Sequence, residues 1–179
     1  MLISADESCL MVIDVQDKLV PAMSNMDPVI ENIQILMSAA VKLSVPTLVS
    51  EQYSKGLGRT IAALSSLMGG DASEKISFSG MADTGFASRF HNLERRHVVM
   101  VGIEAHVCVL QTSMHLLNRG IRVFIVADAT ASRTVKNHDL ALQRLAAAGA
   151  IIVSTEMVVF EWLERAGTDE FKELSRLIK

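Results

Sequence analysis

The chain has 179 residues, 50% hydrophobic and 21% charged, with 17 Lys and Arg against 20 Asp and Glu for a formal charge of −3. That length suits one domain spanning 1–179, leaves no room for two of ordinary size, and carries enough apolar residues to exclude a disordered chain. The acidic balance disfavours a nucleic-acid binder, which needs clustered positive charge against phosphate.

In chain order, Cys9 to Ile13 is continuously apolar and halts at Asp14, the pattern of a strand buried on both faces. Asp27-Pro28 predicts a helix start, with Asp at the N-cap and Pro in the first turn. Val29, Ile33, Leu36, Ala40 and Leu43 then follow at helical steps. Val45 to Val49 is the second predicted strand, Glu51 to Gly58 is irregular, and a helix is predicted over 59–68. A second irregular stretch, Gly69 to Thr84, holds a weaker strand at Lys75 to Ser79. Further strands are predicted at Val98 to Ile103, Ile121 to Ala127 and Ala150 to Val153, and helices over 85–95, 106–118, 134–148, 155–165 and 169–178. Gly120 and Gly149 fall where helices end in a left-handed residue. This alternation predicts an α/β fold: a three-layer α/β/α doubly wound sheet of six mostly parallel strands, in the order 3-2-1-4-5-6.

In such a sheet the ligand site lies beyond the carboxyl ends of the strands, where the strand order reverses. Strands 1 and 4 are neighbours there, so Asp14 and the run Glu104-Ala105-His106-Val107-Cys108 meet in one crevice. Cys108 opens a helix, where free backbone N–H groups and the positive end of the dipole favour thiolate and suit an oxyanion. Asp14 is placed to act as a general base. The plainer readings are a small core residue for a cysteine, which fits Cys9, and a turn cap for the aspartate. Gly56-Leu57-Gly58-Arg59-Thr60-Ile61 is a partial dinucleotide fingerprint with Ile61 where the third glycine belongs. A Cys108–His106 pair is disfavoured, because residues two apart on a helix do not face one another. Thiol redox chemistry lacks a resolving cysteine, since Cys9 falls within a strand.

Three segments resemble the signature segments of the isochorismatase-like cysteine hydrolases: Val12-Ile13-Asp14-Val15-Gln16, Glu74-Lys75-Ile76-Ser77-Phe78-Ser79 and Val101-Gly102-Ile103-Glu104-Ala105-His106-Val107-Cys108-Val109. Ser50-Glu51-Gln52-Tyr53-Ser54-Lys55-Gly56-Leu57-Gly58, Asp128-Ala129-Thr130-Ala131-Ser132-Arg133 and the tail Phe171-Lys172-Glu173-Leu174 bring the likeness nearest to the isochorismatase domain-containing branch. The resemblance implies an isochorismatase-like fold and a catalytic triad of Asp14, Lys75 and Cys108. It also implies a cis peptide at Ile103–Glu104, with the N–H groups of Glu104 and Cys108 as an oxyanion hole. Gln16, Gln52, Tyr53 and Phe78 are expected to line the substrate pocket.

Nicotinamidase-type members of that family hold a metal through an Asp-x-His pair and a further His. Here the corresponding loop reads Glu51-Gln52-Tyr53 and no His precedes His91, so neither a metal nor a cofactor is expected. The namesake hydrolysis of isochorismate proceeds without a thiol, so Cys108 points to hydrolysis of a small amide or imide through a thioester. The alternative is an oligomeric module on this fold with regulatory or vestigial activity. The expected partners are a small-molecule substrate and further copies of the chain, as a dimer or larger homo-oligomer, with no nucleic acid and no membrane. Met1 to Glu7 lacks the basic start and apolar stretch of a secretory leader, the apolar runs are far below the ~18 residues of a membrane span, and two cysteines make no disulfide framework. A cytoplasmic setting is expected.

Overall fold

Six strands form one sheet in the order β3-β2-β1-β4-β5-β6. They are β1 (Ser8–Ile13), β2 (Thr47–Gln52), β3 (Ser73–Lys75), β4 (His97–Ile103), β5 (Arg122–Ala131) and β6 (Ile151–Val153). The computed structural model describes residues 1–178. Every adjacent pair runs parallel, so each connection crosses over a face of the sheet, and the crossovers supply the helices.

The strands alternate their side chains between two apolar layers, as the two-residue period of a strand requires. Leu10 and Val12 of β1, Val99 and Val101 of β4, and Phe124 and Val126 of β5 face one layer. There they meet Ile33 and Leu36 of α1 (Met26–Lys42), with Val158 and Trp162 packing in the same cluster. Cys9, Met11, Val98, Met100, Val123 and Ile125 face the other layer, with Phe86, Phe90, Leu116 and Leu145. Cys9 is fully buried in the sheet, with its thiol pushed up to about 12 by burial.

Several boundaries differ from those the sequence predicts. Asn25, with a left-handed φ of +53, precedes α1 and Asp27 lies inside its first turn, where its carboxylate still complements the helix dipole. The helix predicted over 59–68 contracts to one turn at Ala62–Ser65, after another short turn at Ser54–Leu57; these are α3 and α2. The cause is local: Asp17 N donates to Arg59 O (3.0 Å), Lys18 N to Leu57 O (3.1 Å) and Ile61 N to Val15 O (3.0 Å). Residues 57–61 thus give their backbone groups to the chain leaving β1. β3 ends at Lys75 rather than beginning there.

The remaining helices are α4 (Thr84–His91), α5 (Leu110–Leu117), α6 (Val135–Ala147), α7 (Thr155–Leu163) and α8 (Asp169–Leu174). Asp83, Thr134, Ser154 and Thr168 cap α4, α6, α7 and α8 through their side-chain oxygens. The segment predicted to open as a helix at 106 instead begins with a widened π-type turn, Ala105–Val109. Among the described residues no helix is long and apolar enough to cross a membrane.

Candidate active site

The parallel pairing sets the carboxyl ends of β1, β2 and β3 side by side, and each end delivers polar side chains. Asp14 follows β1 with a left-handed φ of +52, which stops the strand. Its backbone N–H donates to Ser50 O at 3.1 Å. Its carboxylate is fully buried: Oδ1 accepts from Ser50 Oγ and Oδ2 from Lys75 Nζ, both at 2.7 Å. Lys75 closes β3 and is only 1% exposed. Its ammonium donates to Asp14 Oδ2, to Gln52 Oε1 at 2.7 Å, and to the carbonyls of Ser77 (3.3 Å) and Phe78 (3.2 Å). A buried charge is tolerable only when paired and hydrogen-bonded, and both conditions hold here.

β4 brings in the sulfur. Gly102, opposite Ile13 in the β1–β4 register, has φ +110, and an added Cβ would lie 2.2 Å from Ile13 O. That close approach sets the chain leaving β4 beside the chain leaving β1. The Ile103–Glu104 peptide is cis. Cys108, 7% exposed, stands in the π-type turn, where the charges of Asp14 and Lys75 both act on its thiol. Burial first, and then the Asp14 charge, push the thiol up to about 12, with Lys75 pulling the other way. The helix-end argument favours thiolate, but desolvation and the carboxylate outweigh it; the resting sulfur carries a proton.

The turn is fastened on both sides. Thr112 Oγ1 donates to Cys108 O (2.7 Å) and accepts from Gly80 N (3.0 Å). Ser79 Oγ lies 2.8 Å from His115 Nδ1. Glu104 is buried, and its carboxylate meets the Arg133 guanidinium through Nε (2.9 Å) and Nη2 (2.6 Å). Arg133 holds Glu104 below the usual carboxylate range, against the opposing effect of burial.

The structure brings Asp14, Lys75 and Cys108 together with Gln52, and gives the other residues expected at the pocket different surroundings. Gln16 is fully buried and its amide is consumed by the chain: Nε2 donates to Gln52 O (3.0 Å) and Gly58 O (2.8 Å), while Oε1 accepts from Gln52 N (2.8 Å). Gln52 spends Oε1 on Lys75 and Nε2 on Ile76 O at 2.6 Å. Both glutamines brace the site, and Gln52 keeps one Nε2–H without a partner among the described residues. Tyr53 and Phe78 are half exposed, at 51% and 55%, and Ile76 beside them is 70% exposed. Ser50 is the partner of Asp14 that sequence reasoning misses. Its signal was its place two residues before Gln52, in a strand read as ending at Val49.

Glu51 is buried but committed to Thr60 and Arg59, which donate to it at 2.8–2.9 Å and hold the loop after β2. Among the described residues no group of three or more His, Cys, Asp or Glu side chains is arranged to hold a metal ion. A separate cavity of about 320 Å³, between the start of α1 and the end of β5, is lined by Asn32, Asp128, Ser132 and His138, among others, and not by the Asp14–Lys75–Cys108 group.

Helices cover both faces of a doubly wound parallel sheet, and a buried cysteine stands at its reversal point beside an aspartate and a lysine. The isochorismatase domain model matches residues 8–157, and the chain belongs to the isochorismatase family. The chain is 38% identical over 178 residues to the secreted isochorismatase effector Isc1 of Phytophthora sojae, spanning 96% of this chain and 84% of the effector. It is 35% identical over 176 residues to isochorismatase domain-containing protein 2 of Danio rerio, spanning 98% and 89% of the two chains. Among solved structures it is similar to the MAR1 ribonuclease of Caenorhabditis elegans, with a TM-score of 0.92 and 35% identity, covering 99% of this chain and 92% of that one.

Proposed function

We propose that this protein is a metal-independent cysteine hydrolase that opens a small amide or imide through a thioester on Cys108. The observation that carries the reading is the buried Lys75 Nζ–Asp14 Oδ2 pair at 2.7 Å, facing the Cys108 thiol. Replacing a buried ion pair by apolar residues is often neutral or stabilising, so such a pair is poorly explained by stability alone. A proton acceptor and a fixed positive charge beside a thiol are what nucleophilic catalysis requires.

The chemistry follows from the protonation state. As Sγ bonds to the acyl carbon, its proton passes to Asp14, and negative charge grows on the substrate oxygen. The backbone N–H groups of Glu104 and Cys108 donate to that oxygen in this proposal; losing one such donor typically costs about 3–4 kcal/mol of barrier stabilisation. The C–N bond then breaks as Asp14 returns the proton to the departing nitrogen, leaving the thioester. Water attacks next, giving a proton to Asp14; the C–S bond breaks, sulfur regains a proton, and the carboxylic acid leaves. The Lys75 ammonium balances the negative charge that Asp14 and the sulfur exchange between them.

Intact-protein mass spectrometry after mixing with a panel of small amides and imides tests the reading. An acyl adduct is expected on Cys108, absent in Cys108→Ala and in Asp14→Asn. Because the nematode relative is designated a ribonuclease, RNA belongs in the same panel. Turnover of any panel member that survives Cys108→Ala unchanged would replace this mechanism.

A further inference from the structure

We propose that Arg133 is a positioning residue for the turn that carries Cys108: by clamping Glu104 it fixes the backbone donors that meet the developing oxyanion. The inference rests on the cysteine-hydrolase reading above and adds to it a residue outside the reacting group.

Glu104 joins β4 to the turn. Its carbonyl accepts from Val107 N (3.0 Å) and Val109 N (3.3 Å), so its backbone is the first rung on which the turn is built. Its carboxylate, 8% exposed, is gripped in two places by a guanidinium that is itself 59% exposed, and Oε2 also accepts from Arg133 N at 3.3 Å. His106, two residues before the sulfur, is tied to the same neighbourhood, with Nδ1 2.9 Å from Ser132 Oγ and Nε2 3.4 Å from Asn137 Nδ2. The residues two and four positions before Cys108 are therefore both fastened to the stretch from β5 into α6. With its guanidinium largely in water, the pair contributes only modestly to stability. A planar two-pronged contact to a buried carboxylate sets orientation instead, which a point charge cannot do.

Two thiol reagents separate orientation from access. Acylation by p-nitrophenyl acetate forms the C–S bond through a tetrahedral oxyanion and expels p-nitrophenolate. Alkylation by iodoacetamide displaces iodide and develops no oxyanion. Arg133→Ala is expected to slow the nitrophenolate burst by about tenfold or more, a part of the roughly 100- to 1000-fold lost with a whole oxyanion donor, while alkylation of Cys108 stays within about twofold. Arg133→Lys should restore only part of the burst, because it supplies charge without the planar fork. Equal losses in both rates, or no loss in either, would overturn the clamp. A wild-type burst no larger than that of Cys108→Ala would overturn the hydrolase reading itself, and the clamp with it. If Arg133→Ala does not fold, the same two rates in Arg133→Lys decide the question.

Discussion

Lys75 Nζ lies 2.7 Å from Asp14 Oδ2 although β2 stands between their strands and 61 residues separate them along the chain. Neighbouring strands are about 4.8 Å apart, so two spacings set the backbones roughly 10 Å from each other. Only a long side chain meeting a short one closes that gap. The intervening strand contributes at both ends of the contact, with Gln52 accepting from the ammonium and Ser50 donating to the carboxylate.

Removing one charge from this pair strands the other. Lys75→Met should destabilise the fold by about 3–5 kcal/mol, the usual consequence of leaving a buried charge uncompensated. Urea unfolding at pH 7 measures it. The double variant Lys75→Met/Asp14→Asn should recover a large part of that loss; a double variant less stable than Lys75→Met alone would show that the two charges are not coupled.

The thiol held at about 12 makes a kinetic prediction. Without substrate, iodoacetamide should label Cys108 slowly at pH 7, and the rate should keep rising through pH 10 with no plateau. Asp14→Asn removes a charge that raises the thiol and leaves Lys75 in place, so labelling at pH 8 should accelerate by about tenfold for each unit the thiol falls. Hydrolysis should fall in the same variant, because the proton acceptor is gone. A labelling plateau below pH 8.5 in the wild type would contradict the assignment.

Glu104 links the clamp to acid stability. Arg133 lowers its folded value below the ordinary one near 4.5. A depressed carboxylate stabilises the fold above its unfolded value, and that contribution disappears as pH falls through the folded one. Melting temperature should therefore drop more steeply between about pH 5 and pH 3 in the wild type than in Glu104→Gln. Parallel curves would show that the pair does not contribute.

Gly102→Ala should be among the most damaging single changes in the chain. Its Cβ would meet Ile13 O at 2.2 Å and Ile13 N at 2.6 Å, on a backbone with φ +110. Both backbones belong to paired strands and neither can yield, so the variant should lose more than about 3 kcal/mol or fail to accumulate as folded protein. Gly70→Ala is the matched control: nothing lies within 4 Å of its added Cβ, and its melting curve should overlay the wild type.

Strand order and the meeting of Asp14 with Cys108 were legible, because apolar runs of strand length and the rule of the reversal point depend only on local pattern and topology. The bounds of β3 were not. Residues 76–78 look like a strand, yet their carbonyls bond to the side chains of Gln52 on the neighbouring strand and of Lys75 itself, and the apolar pattern does not announce such side-chain partners. Lys75 reads alone as a solvated lysine, and only resemblance singled it out. The widened turn at Ala105–Val109 was equally hidden, since it shares the residue types of an ordinary helix start. The protonated state of the thiol depended on burial by distant elements, which a helix-end argument does not count.

Tyr53, Ile76 and Phe78 turn outward from backbones that are already tethered, Tyr53 N to Lys75 O and the other two through their carbonyls. Exchanging those three side chains would change an exposed apolar surface while every backbone tether stays in place. Under the proposed hydrolase reading, foldability and selectivity then rest on different residues.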